Sequence, residues 1–194
     1  MPLIPAFEIG LWNAWIITVF GLLTGVLPDF LSRKKRAVNK MMVWLPYSRS
    51  ERILAYSAYL FIMPVAGVYS IFLPLKLGTT WLYVGLPICF LAGVMNILAY
   101  ASIAGSSPAE PVTRGVYRIS RNPLYLSAFL MYLGTSIACA SWVFLLFAVL
   151  WMLIWYIVLP GEERVLLEQH RDVYRQYMDR TPRWIGIPKP RSRT

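Results

Sequence analysis

The sequence predicts an all-α fold: a polytopic membrane helical bundle of about five transmembrane helices, with a tight C-terminal hairpin and a cytosolic C-terminal helix. Three observations carry this. The 194 residues are 58% hydrophobic and only 14% charged, with a mean hydropathy of +0.55, whereas soluble domains are roughly a quarter charged. Basic residues cluster beside the apolar runs, which is the positive-inside pattern of membrane proteins. From Leu124 to Leu159 there is no Lys, Arg, Asp, Glu or His at all.

The net charge of +10 suits anionic lipid head groups better than nucleic acid, because the basic residues flank spans instead of forming one face of a soluble module. Cys89 and Cys139 sit inside apolar runs and read as small buried hydrophobes. One histidine in the whole chain leaves no ligand set for zinc or haem. No basic stretch precedes Leu11, so the first apolar run reads as a retained span, not a cleaved signal.

The chain is expected to form one integral membrane domain over residues 1–194. A three-span body over 1–104 is followed by a polar loop, a helical hairpin and a cytosolic helix over 105–194. Span one covers Leu11 to Leu27, bounded by Pro28 and Asp29. Gly21 and Gly25 in it form a small-xxx-small pair that lets another helix approach. Ser32 to Arg52 is basic, with Arg33 to Arg36 at its head, and is expected in the cytosol. Trp44 and Tyr47 there read as interface anchors. Span two covers Ile53 to Leu73, with Pro64 as a kink. Span three covers Trp81 to Ala104. Its Asn96 is costly in lipid and should face another helix or a binding site.

The uncharged stretch from Leu124 would reach roughly 54 Å as one helix, well beyond a ~30 Å hydrocarbon core. Split near Cys139 to Ser141, it becomes two spans whose ends return to one side. After Pro160 and Gly161 the composition turns polar. Glu162 to Arg180 reads as a soluble helix with Leu166, His170, Val173 and Tyr177 on its packed face, ended by Thr181 and Pro182. The tail from Lys189 is short and basic. The N-terminus is expected outside and the C-terminus in the cytosol. The host membrane would be the plasma membrane in a prokaryote or the endoplasmic reticulum in a eukaryote.

The two polar edges of that hairpin, Thr113 to Tyr125 and Gly161 to Glu163, are expected to fold onto each other at one membrane face and hold a charged cofactor. Pro123 can open a helix while leaving backbone groups exposed, and Asn122 beside it offers an amide. Tyr117 and Tyr125 present flat faces with polar tips. Glu162 and Glu163 are neighbours, so on a helix they point about 100° apart and cannot both face one pocket.

Gly115-Val-Tyr117, Arg121-Asn-Pro-Leu-Tyr125 and Glu162-Glu163 with Leu166, followed by Tyr174, Tyr177, Thr181 to Arg183 and Ile187-Pro188, resemble the core of the isoprenylcysteine carboxyl methyltransferase family over residues 109 to 188. The resemblance implies S-adenosyl-L-methionine as methyl donor, with S-adenosyl-L-homocysteine as product. It also implies a cytosol-facing cofactor site, with Pro111, Val112, Tyr117, Asn122, Pro123, Leu124, Tyr125 and Glu162 as cofactor residues. Arg121 and Glu163 are the implied catalytic pair, joined as ions. The implied reaction is direct in-line transfer to a lipophilic acceptor arriving from the bilayer, a prenylcysteine-like carboxylate, with a monomer sufficient.

A carboxylate nucleophile needs no general base, so positioning would dominate the rate. Arg121, Arg164 and Arg183 are candidates to clamp it. The chain departs from the family at two places. Asn122 replaces the usual His, and apolar Val158 and Leu159 stand where the carboxyl methyltransferases carry an arginine linked to substrate. The similar phospholipid N-methyltransferases and NADPH-dependent sterol-type reductases supply alternative activities, and a non-catalytic membrane scaffold is a third possibility.

Overall fold

A computed structural model of the chain describes residues 7–31, 48–107 and 110–187. The Arg33 to Arg36 cluster, Trp44, Tyr47, Pro188 and the tail lie outside the described residues. Among the described residues the long helices are α1 (Trp15–Leu31), α2 (Arg49–Ile71), α3 (Thr80–Ala104), α4 (Pro123–Ala138) and α5 (Trp142–Arg180). Of these, α2, α3 and α5 are long and apolar enough to cross a membrane, while Trp15–Gly25 of α1 and the whole of α4 are shorter apolar helices. Among the described residues the β-structure is a single bridge between Asn13 and Pro74.

That bridge explains why α1 begins later than the apolar run. Asn13 gives its amide hydrogens to the carbonyls of Glu8 at 2.6 Å and Ile71 at 2.7 Å. An Asn side chain that captures backbone in this way competes with helix formation. The segment before α1 is thereby strapped to the α2–α3 turn. At its other end α1 runs through Pro28 to Leu31 and does not stop at the proline.

A capping box opens α2: Glu51 N–H donates to Ser48 Oγ at 3.3 Å and Ser48 N–H to Glu51 Oε2 at 2.8 Å. The distortion expected at Pro64 takes the form of a π-helical turn at Ala58–Ile62, closed by Met63 N–H on the Ala58 carbonyl. A proline one residue later has no N–H for the preceding turn, and a widened turn accommodates that loss.

The tightest helix contact joins α3 to α4. A methyl on Gly85 would fall 2.6 Å from the Gly134 carbonyl oxygen, and one on Gly134 would fall 2.9 Å from the Cys89 nitrogen. The expected Gly21 and Gly25 pair has only ordinary spacing, with Met131 at 3.5 Å and Asn96 at 3.6 Å. Close approach within this chain therefore uses a different pair of glycines.

The hairpin turns where expected. Helix α4 ends at Ala138, Ala140 takes a positive φ of 50°, and Ser141 Oγ accepts from Phe144 N–H at 3.3 Å to start α5. The expected break at Pro160 does not occur. Helix α5 runs 39 residues, and its geometry breaks instead at Arg171, with φ 43° and ψ −119°. A proline removes one backbone bond, and at the membrane edge that loss is tolerated. Up to His170 the polar segment is thus the same helix grown out of the apolar layer, and past the kink at Arg171 a second helical segment follows to Arg180. Their buried face carries Val165, Tyr174 and Tyr177, while Val173 is exposed and His170 half-buried.

Ala55, Ala58 and Ile62 of α2 pack against Trp151, Ile154, Trp155, Val158 and Leu159 of α5. Large apolar side chains such as Leu60, Phe61, Tyr83 and Phe90 face outward, as a bundle surrounded by lipid requires.

Candidate functional site

The loop between α3 and α4 is built to enter α4 at a fixed angle. Gly115 sits at φ +62°, where a side chain would collide with Ser102 Oγ, so only glycine fits. Gly115–Arg118 then forms one 3-10 turn. Asn122 precedes α4 without a side-chain capping bond, and Pro123 is its first residue, where the missing N–H costs nothing.

The C-terminal segment closes on this loop. Arg121 N–H donates to the Pro182 carbonyl at 3.0 Å, and Gly186 N–H to that of Ile119 at 3.2 Å. The Arg183 carbonyl accepts from Asn122 Nδ2 at 3.2 Å and Ser120 Oγ at 3.4 Å. One turn away, Tyr177 Oη donates to the Tyr117 carbonyl at 2.7 Å. The Asn122 amide, a candidate cofactor group, is thereby committed through its nitrogen to holding the loop.

In the first turn of α4, Tyr125 Oη donates to Glu162 Oε2 at 2.9 Å. Its ring stacks on Trp155 at 3.9 Å and 28°, and its carbonyl accepts from Trp151 Nε1 at 3.1 Å. Tyr59 of α2 completes the corner, packed edgewise on Trp155 at 5.5 Å. Tyr59 and Tyr117 both lie within electrostatic reach of Glu162 and Tyr100. Burial, and then Glu162, Tyr100 and Tyr174, hold the Tyr117 phenol far above its ordinary range. It therefore stays a hydroxyl, able to donate.

The neighbouring acid does different work. Glu163 is 5% exposed and holds two guanidiniums: Arg121 Nη2 at 3.1 Å, and Arg183 through Nε at 3.1 Å and Nη2 at 2.5 Å. The Glu163 bonds hold the Arg183 guanidinium protonated even more firmly than usual. Glu162 and Glu163 thus separate as helix geometry demands, one toward the tyrosines and one toward the arginines. Arg164 reaches away to Glu51 Oε2 at 3.4 Å. Pro111 and Val112 are half-buried in the loop ahead of the 3-10 turn.

Below this corner lies a cavity of about 590 Å³ between α1, α2, α3 and α4, closed on one side by Phe144 and Trp151 of α5. Leu124, Tyr125, Tyr59 and Tyr100 are part of its wall, and most of the rest is apolar. A negative carboxylate among aromatic faces suits a cation such as a sulfonium. Arg121 Nε and Trp155 Nε1 are buried donors without a partner among the described residues, so donors for a polar ligand are present at the same end. Among the described residues no three His, Cys, Asp or Glu gather as metal ligands.

Sequence reasoning missed Tyr59, Tyr100, Trp151 and Trp155. The spacing of Trp151 and Trp155 places them on one helix face, but nothing local says that this face meets Tyr125.

Residues 81–172, just under half of the chain, match the family model of phospholipid methyltransferases. The match begins with α3 and runs past Glu163, so it includes Tyr125 and Glu162. This similarity is that of a membrane methyltransferase with a lipophilic substrate. The phospholipid methyltransferases are one family of the wider group that also contains the isoprenylcysteine carboxyl methyltransferases, and the motif resemblance is compatible with it. No curated protein matches the chain.

Proposed function

We propose that the protein transfers the methyl group of S-adenosylmethionine to an acceptor lipid seated in the cavity, and that the acceptor is the amine of a phospholipid head group. One observation carries the choice of acceptor: all three arginines that could clamp a carboxylate are engaged by carboxylates of the chain itself, Arg121 and Arg183 by Glu163 and Arg164 by Glu51. The acid nearest the tyrosines is Glu162, bonded to Tyr125. It would repel a carboxylate acceptor and attract an amine.

That donor supplies a methyl on sulfonium, and transfer forms N–CH3 as S–CH3 breaks, moving the positive charge from sulfur to nitrogen. Glu162 and the faces of Tyr125 and Tyr117 stabilise a cation at either position. The stack of Tyr125 on Trp155 excludes water from one side, which strengthens that stabilisation. The ammonium drawn in by Glu162 gives up its proton to water before it reacts, and positioning between the cavity and Glu162 supplies the rest. In this reading the Glu162 face is cytosolic and the N-terminus lies outside.

Prenylcysteine carboxyl methylation is the second reading. It is favoured by Arg183, whose side chain is 32% exposed and could turn from Glu163 to a substrate.

The test uses the purified chain in detergent. S-adenosylhomocysteine at a hundred times its dissociation constant should stabilise the fold by about 2.7 kcal/mol, and NADPH should not. Labelled methyl should then reach phosphatidylethanolamine in preference to N-acetyl-S-farnesylcysteine. A folded sample that S-adenosylhomocysteine leaves unshifted would end the methyltransferase reading, and preference for the farnesylcysteine would reverse the choice of acceptor.

A further inference from the structure

Within the cavity wall one polar group does more than its packing requires. Asn96 lies on α3 one helical turn before Tyr100, and both line the cavity. Residues four apart share a helix face, so the Asn96 amide sits one turn deeper along α3 than the Tyr100 ring, which, like Glu162, acts on the Tyr59 and Tyr117 phenols. Eight residues separate Asn96 from the end of α3 at Ala104, which puts it roughly 12 Å inside the helix end.

Asn96 Nδ2 donates to Thr24 Oγ1 of α1 at 3.1 Å, and Asn96 Oδ1 accepts from Ser127 Oγ of α4 at 3.3 Å. The amide has two hydrogens, and the second finds no partner among the described residues. Its oxygen and one hydrogen tie three helices together, and one donor is left over in a wall that is otherwise mostly apolar. A half-used amide at this depth is expensive unless something binds it.

We propose that Asn96 is a specificity-determining residue, its free N–H donating to an oxygen of the acceptor lipid where the polar head joins the chain. The proposal rests on the reading of the cavity as the acceptor's seat. The geometry then orders the lipid along one line: head at Glu162 and Tyr125, linking oxygen at Asn96, chain among Met131, Tyr132 and Phe144.

The experiment measures stabilisation of the detergent-purified full chain by two lipid probes, dioctanoylphosphatidylethanolamine and N-acetyl-S-farnesylcysteine, independently of methyl transfer. At least one should stabilise the wild-type protein. Asn96→Leu should raise its half-saturating concentration about three- to tenfold, the loss of one neutral hydrogen bond, and Asn96→Gln should recover part of the loss. Where the leucine variant does not fold, Asn96→Ser carries the same comparison. The double variant Thr24→Val/Ser127→Ala removes the interhelical bonds but keeps the amide, and should bind the probe nearly as the wild type does.

The proposal is overturned if Asn96→Leu binds as the wild type does, if the double variant reproduces its loss, or if neither probe stabilises the wild type. The S-adenosylhomocysteine shift is read on the same samples. Its absence refutes the methyl-donor reading, whereas its presence with probe binding indifferent to Asn96 refutes only this inference.

Discussion

Tyr125 and Glu162, 37 residues apart, meet through a 2.9 Å hydrogen bond. The whole α4–α5 hairpin lies between them. The bond therefore exists only if α4 and α5 leave the membrane on the same side and in register. It also joins the two halves of the site, since Tyr125 is held from behind by Trp155 and Trp151 of α5.

Removing the phenol oxygen should thus be felt at the ligand more than in the fold. Tyr125→Phe keeps the ring stack and loses only the hydroxyl. Hydrogen bonds to charged groups are worth about 1.5–3 kcal/mol, so S-adenosylhomocysteine affinity should fall roughly ten- to a hundredfold. Glu162 is half-buried and can take water in place of the phenol, so the apparent melting temperature without ligand should fall less than the affinity does. Equal affinity in the variant, by titration calorimetry in detergent, would show that the hydroxyl does not order the carboxylate for the donor.

Glu163→Gln should do the reverse. It removes the one negative charge shared by Arg121 and Arg183, of which Arg121 is 9% exposed. Breaking a buried ion pair from one side typically costs about 3–5 kcal/mol, because the remaining charge is left uncompensated. Arg183 can turn toward water, so the lower end of that range applies. Thermal unfolding should report the loss, and Arg183→Gln should cost less than Arg121→Gln. The opposite order would mean that Arg183, not Arg121, is the partner that matters.

Much of this was legible in sequence because it was local or forced. The uncharged run was too long for one span, which placed the turn at Cys139 to Ser141. Adjacent glutamates on a helix had to diverge, and the family resemblance named Arg121 as the partner of Glu163, where the structure places it. Other features depend on how helices face one another, which no single stretch encodes. Tyr59 joins the site only because α2 packs on the Trp155 face of α5. Pro160 looked like a boundary because composition changes there, yet a helix leaving the apolar layer changes solvent without changing conformation. Arg164 and Arg183 looked alike as carboxylate clamps, and only the tertiary fold sends one to Glu51 and the other to Glu163.

The α3–α4 contact gives a steric prediction. Gly134 lies where any Cβ would press on the Cys89 nitrogen and the Gly85 oxygen, both backbone at 2.9 Å. Backbone cannot step aside, so Gly134→Leu should separate the two helices. Overpacking of this kind costs about 1–3 kcal/mol, read as a lower melting temperature. The shift would also widen the cavity, because Met131 and Thr135 on α4 line it. A variant as stable as the wild type would show that the helices are not in contact there in the membrane.

Gly161 looks equally crowded but should behave differently. A methyl there would lie 2.8 Å from the Glu51 carboxylate, which is the tip of a flexible side chain and can move. Gly161→Ala should therefore displace Glu51 from Arg164 and from the Ser48 N–H of the capping box, and leave the helices in place. That ion pair is partly solvated, with Arg164 56% exposed, and exposed pairs contribute about 0–1 kcal/mol. Alanine also favours helix over glycine by about 1 kcal/mol. The two effects nearly cancel, so thermal stability should change by less than about 1 kcal/mol in either direction. A double-mutant cycle with Glu51→Ala separates them: on the Glu51→Ala background the ion pair, the capping bond and the crowding carboxylate are already gone, so the alanine should show only its stabilising helical effect. A large loss of stability on both backgrounds would mean that Gly161 is needed for the backbone path into Glu162.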